Sequence, residues 1–161
     1  MSTRVWDRRA AIAACGAFAF SAAGSQVARA QSGLPVRNIR VDVAPLRANA
    51  GDPTATWVER ELPRSLARAL AGRLTSRGGT LTVRIDYLTL GSNTGATLHG
   101  GSSPDQIQGV AMLDGVQWPV RAISSYAASP IDQTMVEQSN HYRVRQVCEA
   151  LAFWIARDLG G

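Results

Sequence analysis

The chain has 161 residues, 45% of them apolar, with 17 basic residues against 12 acidic ones and a formal net charge of +5. Every basic residue is arginine, and Arg4, Arg8, Arg9 and Arg29 fall in the first thirty positions beside the single acid Asp7. The other 131 residues carry thirteen arginines and eleven acids, an ordinary balance that excludes the basic footprint of a DNA- or RNA-binding domain.

The N-terminus reads as a cleavable signal peptide over residues 1–30. Arg4, Arg8 and Arg9 make a positive opening segment, and Ala10 to Gly24 is free of charge. Ala28 and Ala30 then supply the small residues that a signal peptidase accepts. At fifteen residues the uncharged run is short of the roughly 20 that span a bilayer, and no later stretch is long and apolar enough. An amphipathic core helix would show a polar face, which this run lacks. The Arg8-Arg9 pair fits a Tat signal as well as a Sec signal. Ile12-Ala13-Ala14-Cys15 resembles a lipobox, the motif whose cysteine carries a lipid anchor. Yet only five residues separate Arg9 from Cys15, and Gly16 to Ala23 stays apolar where a tether would be polar. Cys15 is therefore read as a small apolar residue of a discarded segment. The expected location is the periplasm or the exterior of a bacterium, after cleavage near Ala30.

Beyond the signal the length suits one domain. Residues 31–37 form a lead-in and 38–161 the domain itself. Cys148 is the one cysteine left in that part, so no internal disulfide forms there.

Asn38 to Leu46 alternates Ile39, Val41 and Val43 with Arg40 and Asp42, the pattern of a half-buried strand. Residues 47–53 read as a polar loop, after which Thr54 or Thr56 can cap a helix running to about Thr75. In it Val58, Leu62, Leu66, Leu70 and Leu74 recur at every fourth position, Ala67, Ala69 and Ala71 widen the apolar side, and Pro63 should kink the helix or split off its first turn. Leu81, Val83, Ile85 and Tyr87 alternate with Thr82, Arg84 and Asp86 as a second strand. Its phase slips at Leu88, the mark of a bulge or of the strand end.

Gly91 to Pro104 is a Gly- and Ser-rich loop. Asp105–Leu113 and Val116–Tyr126 flank Asp114-Gly115, a strong hairpin signal. Pro119 puts the second hairpin strand at a sheet edge. Residues 127–140 are irregular, with a turn of helix after Pro130, and Asn140 can cap a last helix with the stripe Val144, Val147, Cys148, Leu151, Ile155 and Leu159. The order β-α-β-β-β-α predicts an α+β two-layer sandwich: a four-stranded mixed sheet, its first two strands parallel, with two helices on one face.

The helix Leu62 to Leu74 (L-P-R-S-L-A-R-A-L-A-G-R-L) followed by Leu81 to Tyr87 (L-T-V-R-I-D-Y), in an exported chain of this element order, resembles the small envelope domains of proteobacteria. Those include lipoproteins that assist lipopolysaccharide assembly or lipid transport. The resemblance rests on element order and texture, carries no single residue across, and implies a non-enzymatic accessory role.

Arg40, Asp42, Arg84 and Asp86 gather on the solvent face if the first two strands are neighbours. They form either a polar docking surface or a charge ladder that keeps an open sheet soluble. His99, Ser102 and Asp105 have the residue types of a hydrolytic triad, but Gly100 to Pro104 is no nucleophile elbow. His141 and Cys148 lie seven positions apart, about 10 Å along a helix, too far for one metal ion. Trp57, Trp118 and Trp154 are expected to pack at the helix–sheet interface rather than to form a ligand box.

No catalytic, cofactor or metal constellation emerges. The expectation is a non-enzymatic periplasmic binding or envelope-assembly module with a protein partner. A small hydrolase working through residues 91–105 is the competing expectation. A lipid carrier would need a large apolar cavity, whereas the frequent Ala in both helices points to close packing. Intact-mass measurement of the exported protein should give a chain beginning at Gln31. A chain beginning at an acylated Cys15 would contradict this.

Overall fold

The computed structural model describes residues 33–91, 104–125 and 135–160. The signal residues Arg8, Arg9, Cys15, Ala28 and Ala30, the loop residues His99 and Ser102, and the turn expected after Pro130 lie outside them. No described helix is long and apolar enough to cross a membrane.

Four strands form one sheet in the order β1 (Val36–Asp42), β2 (Gly79–Thr89), β3 (Asp105–Leu113) and β4 (Val116–Ser124). The β1–β2 pair is parallel, the other two are antiparallel, and the α+β order matches the expectation. Alternation places Ile39 beside Leu81 and Val41 beside Val83 on the inner face. The phase slip is a bulge at Asp86: Ile85 pairs with Gly109 and Tyr87 with Gln108, and Leu88 returns inward. Asp114 and Gly115, both at positive φ, turn the hairpin as expected, and β4 with Pro119 is an edge strand.

Among the described residues there are three helices rather than the two expected. Residues 44–50, expected to complete the first strand and open a polar loop, form α1 (Ala44–Ala50), which meets α2 (Asp52–Ala69) at Gly51. Pro45 in its first turn is compatible with helix, and the Asp42 carboxylate accepts the Ala44 N–H at 2.9 Å. One α1 side chain, Leu46, is buried. α2 begins at Asp52, so Thr54 and Thr56 are not its caps, and it continues unbroken through Pro63. The carbonyl left without a donor belongs to Glu59, an exposed position. α2 stops at Ala69 and passes into a 3-10 turn, Ala71–Arg73, so Leu74 falls off the helical stripe and is 40% exposed. Ala69 and Ala71 are exposed as well.

The last helix, α3 (Val136–Asp158), starts before Asn140, which lies inside it. Its stripe from Val144 to Leu159 is buried as expected. Glu61 faces His141, Arg68 faces Glu149 and Arg73 reaches Ala156, so α2 and α3 run parallel. They cover one face of the sheet; among the described residues no element covers the other. Trp57 and Trp118 are half-buried against the core, whereas Trp154 is exposed. Trp154 stands one residue before Ile155, about 100° round the helix, on the solvent side.

Gly109 sits where β2 bulges against β3. A Cβ there would lie 2.0 Å from the Arg84 carbonyl oxygen, a backbone atom that cannot swing away. Gly109→Ala should therefore destabilise the fold by about 1–3 kcal/mol in urea denaturation. The sign is opposite to the small gain that Gly→Ala gives at an unstrained site.

Candidate functional site

The open face of the sheet is built by the outward parity of each strand. Register aligns Asp42, Arg84, Val110 and Pro119 in one row and Arg40, Thr82, Met112 and Gln117 in the next. All four of the anticipated residues, Arg40, Asp42, Arg84 and Asp86, take this outward parity. The Arg84 Nε donates to Asp86 Oδ1 at 2.8 Å and its Nη2 to Asp86 Oδ2 at 3.3 Å. These bonds, with the charge of Asp86 and then of Asp42, hold the Arg84 guanidinium pKa above its ordinary value. The one ion pair of the set thus lies within β2, stabilised by the bulge residue itself. Arg40 faces Thr82, and among the described residues neither Arg40 nor Asp42 belongs to an ion pair. A shallow depression of about 150 Å³ is lined by Asp42, Thr82, Arg84, Val110, Met112 and Gln117. It offers a carboxylate, a guanidinium, a hydroxyl, an amide and two apolar groups side by side, which suits recognition of a folded surface.

Asp105, the acid of the alternative triad, has another task. It takes the inward parity of β3 with Ile107, and its side chain is 1% exposed. Arg143 of α3 donates Nε to Asp105 Oδ2 at 3.0 Å and Nη2 to Asp105 Oδ1. The same Nη2 donates to the Gly91 carbonyl at 2.6 Å, and the Gly91 N–H donates to Asp105 Oδ1 at 2.9 Å. Both carboxylate oxygens are thus engaged in a bidentate, buried clasp. This cluster escaped the sequence reading. Its signal was an acid in phase with Ile107 and an arginine next to Val144 on the apolar side of α3.

His141 is in the second turn of α3 and half-buried. Its Nε2 lies 3.4 Å from Glu61 Oε1, and its ring lies 5.6 Å from that of Trp57. Arg60 and Arg64 flank the same Glu61 oxygen at 3.7 and 3.6 Å. Cys148 is fully buried; burial first, then the charges of Glu61 and Glu149, push its thiol pKa far up and keep it protonated. Among the described residues no three of His, Cys, Asp and Glu form a group that could hold a metal ion.

No family model and no curated protein matches the chain. A solved structure described as a "putative lipoprotein" from Caulobacter crescentus is similar over 76% of this chain and 87% of its own, at 15% identity and a TM-score of 0.37.

The clasp makes a stability prediction. Asp105→Ala leaves a buried guanidinium without its anion and should cost about 3–5 kcal/mol. Arg143→Met together with Asp105→Leu should cost less, since it removes both charges. Urea denaturation of the two variants checks the order; equal losses would contradict it.

Proposed function

We propose that this protein is an exported, non-enzymatic module of the bacterial envelope that docks a protein partner through the open face of its sheet. The observation that carries the reading is the uncovered row of Asp42, Arg84, Val110 and Pro119 beside Arg40, Thr82, Met112 and Gln117. A sheet face needs a cover or a fully polar surface, and this one mixes Arg40, Asp42 and Arg121, outside the Arg84–Asp86 pair, with Val110, Met112 and an exposed Ile123. Tyr87, 47% exposed beside the bulge, extends the same surface. Arginine and aromatic residues at the centre of a patch are the groups that dominate protein interfaces.

Export is supported by the three-part pattern of residues 1–30, and cleavage at Ala30 would place the domain outside the cytoplasm. The engagement of Asp105 by Arg143 and Gly91 favours a structural use of that carboxylate over a hydrolytic one.

A photocrosslinking residue at Met112 in the intact envelope should give one reproducible protein adduct. Arg84→Glu should weaken it roughly tenfold, as loss of a central interface arginine does. A crosslinker at the exposed Ser76, away from this face, should give none. Equal adducts from both positions would contradict the reading.

A further inference from the structure

Phe153 and Trp154 are neighbouring aromatic residues on the outer side of α3, 61% and 38% exposed, with ring centroids 5.7 Å apart. The Arg157 guanidinium lies 3.9 Å from the Trp154 ring centroid, so cation and ring face solvent together. Beside them, between the C-terminal halves of α2 and α3, runs a groove of about 520 Å³. Ser65, Ala69, Gly72 and Ala156 contribute its small residues, and Arg68, Arg73 and Arg157 its cations. The one carboxylate in the lining is Glu149, 3.0 Å from Arg68; Asp158 lies 3.9 Å from Arg157, outside the lining.

Arginines near helix C-termini ordinarily answer the helix dipole, and Arg73 does so by donating to the Ala156 carbonyl. Counting Asp158 beside Arg157, the three guanidinium groups exceed the two nearby carboxylates by one charge. The dipole also gives no reason for two exposed rings. A second observation concerns the chain's path. The Leu34 N–H donates to the Leu159 carbonyl at 3.1 Å, and Gly33 lies against the Arg73 side chain. The chain therefore enters the domain at this same end.

We infer that this end of the helix layer rests on the surface of an anionic phospholipid bilayer. Phe153 and Trp154 enter the interface while Arg68, Arg73 and Arg157 meet the lipid phosphates. A free phosphate would satisfy the arginines alone; a bilayer supplies the apolar phase and the anion together.

The test uses the exported chain from the soluble fraction, in a Cys15→Ser background so that no acyl chain contributes. It is sedimented with vesicles of phosphatidylglycerol and phosphatidylcholine, or of phosphatidylcholine alone. Binding should occur on the anionic vesicles only and should weaken with added salt. Phe153→Ser should lower the affinity at least tenfold, and Arg68→Gln with Arg157→Gln by roughly fivefold for each arginine. Unchanged binding in Phe153→Ser overturns the inference. So does a dimer that Phe153→Ser dissolves without any vesicle binding, which would make a second copy the occupant. Stabilisation by inorganic phosphate with no vesicle binding would overturn it too. Crosslinking through Met112 reads the sheet face separately and should persist in Phe153→Ser.

Discussion

The fold depends on one buried constraint, the clasp of Arg143 on Asp105 and Gly91. It joins three separate pieces of chain: the end of β2, the start of β3 and the first third of α3. Fifteen residues separate the end of β2 from the start of β3, and closing a loop costs entropy that grows only slowly with length. The cost is recovered where both loop ends share a carboxylate, with the Gly91 N–H bound to Asp105 and the Gly91 carbonyl bound to Arg143. Gly91 is itself buried, so its two backbone groups need these partners. The pair contributes little net stability compared with an apolar replacement of equal shape. What it supplies is geometry, because α3 can lie across β3 and β4 in only one register if Arg143 is to reach Asp105.

That register fixes the rest of the helix layer. With Arg143 at Asp105, the stripe Val144, Val147, Leu151 and Ile155 falls over the inner face of the sheet, and His141 and Glu149 fall against α2. The two helices then pack parallel, which aligns their dipoles unfavourably. Arg68 to Glu149 across the interface, and Arg73 on the carbonyl of Ala156, offset that alignment at the C-terminal end. The arginines that gather there are in the first place a consequence of topology. A βαβ crossover followed by a hairpin and a helix leaves both helices pointing the same way.

Most of the sheet was legible because its rules are local. Alternation, a bulge betrayed by the phase slip at Leu88, and an Asp-Gly turn each depend on a few adjacent residues. The misread elements depended on contacts further away. Residues 44–50 looked like strand end and polar loop because Val43 continues the alternation and Gly51 and Asp52 follow, yet Leu46 buried in the core helps hold a short helix there. Leu74 continues the fourfold spacing of α2 but is removed from it by the 3-10 turn. Trp154 looked like core by residue type alone, while its angular place between Leu151 and Ile155 put it outside. The clasp was hardest to see, since each half looked like an exception: an acid in an inward strand position and an arginine beside an apolar stripe. Two such exceptions in one small domain are better read as each other's partner than as two surface residues out of phase.

The open sheet face and the outer helix face differ in how their charge is arranged. On the sheet, Arg40, Arg84 and Arg121 are interspersed with Asp42 and Asp86, and the bulge at Asp86 absorbs one pair into β2 itself. On the helices, arginines exceed carboxylates around the groove and stand beside exposed rings. A patch of mixed sign discriminates by shape and by the position of single charges, as protein surfaces do. A cationic patch with exposed aromatic rings discriminates poorly among shapes and well among phases, as lipid interfaces require. The core between them, from Leu62 and Ile155 to Leu81 and Ile107, keeps the two faces on opposite sides of one rigid body. A molecule held at its helix layer would therefore present Arg40, Asp42 and Arg84 away from the surface that holds it, where a partner can reach them.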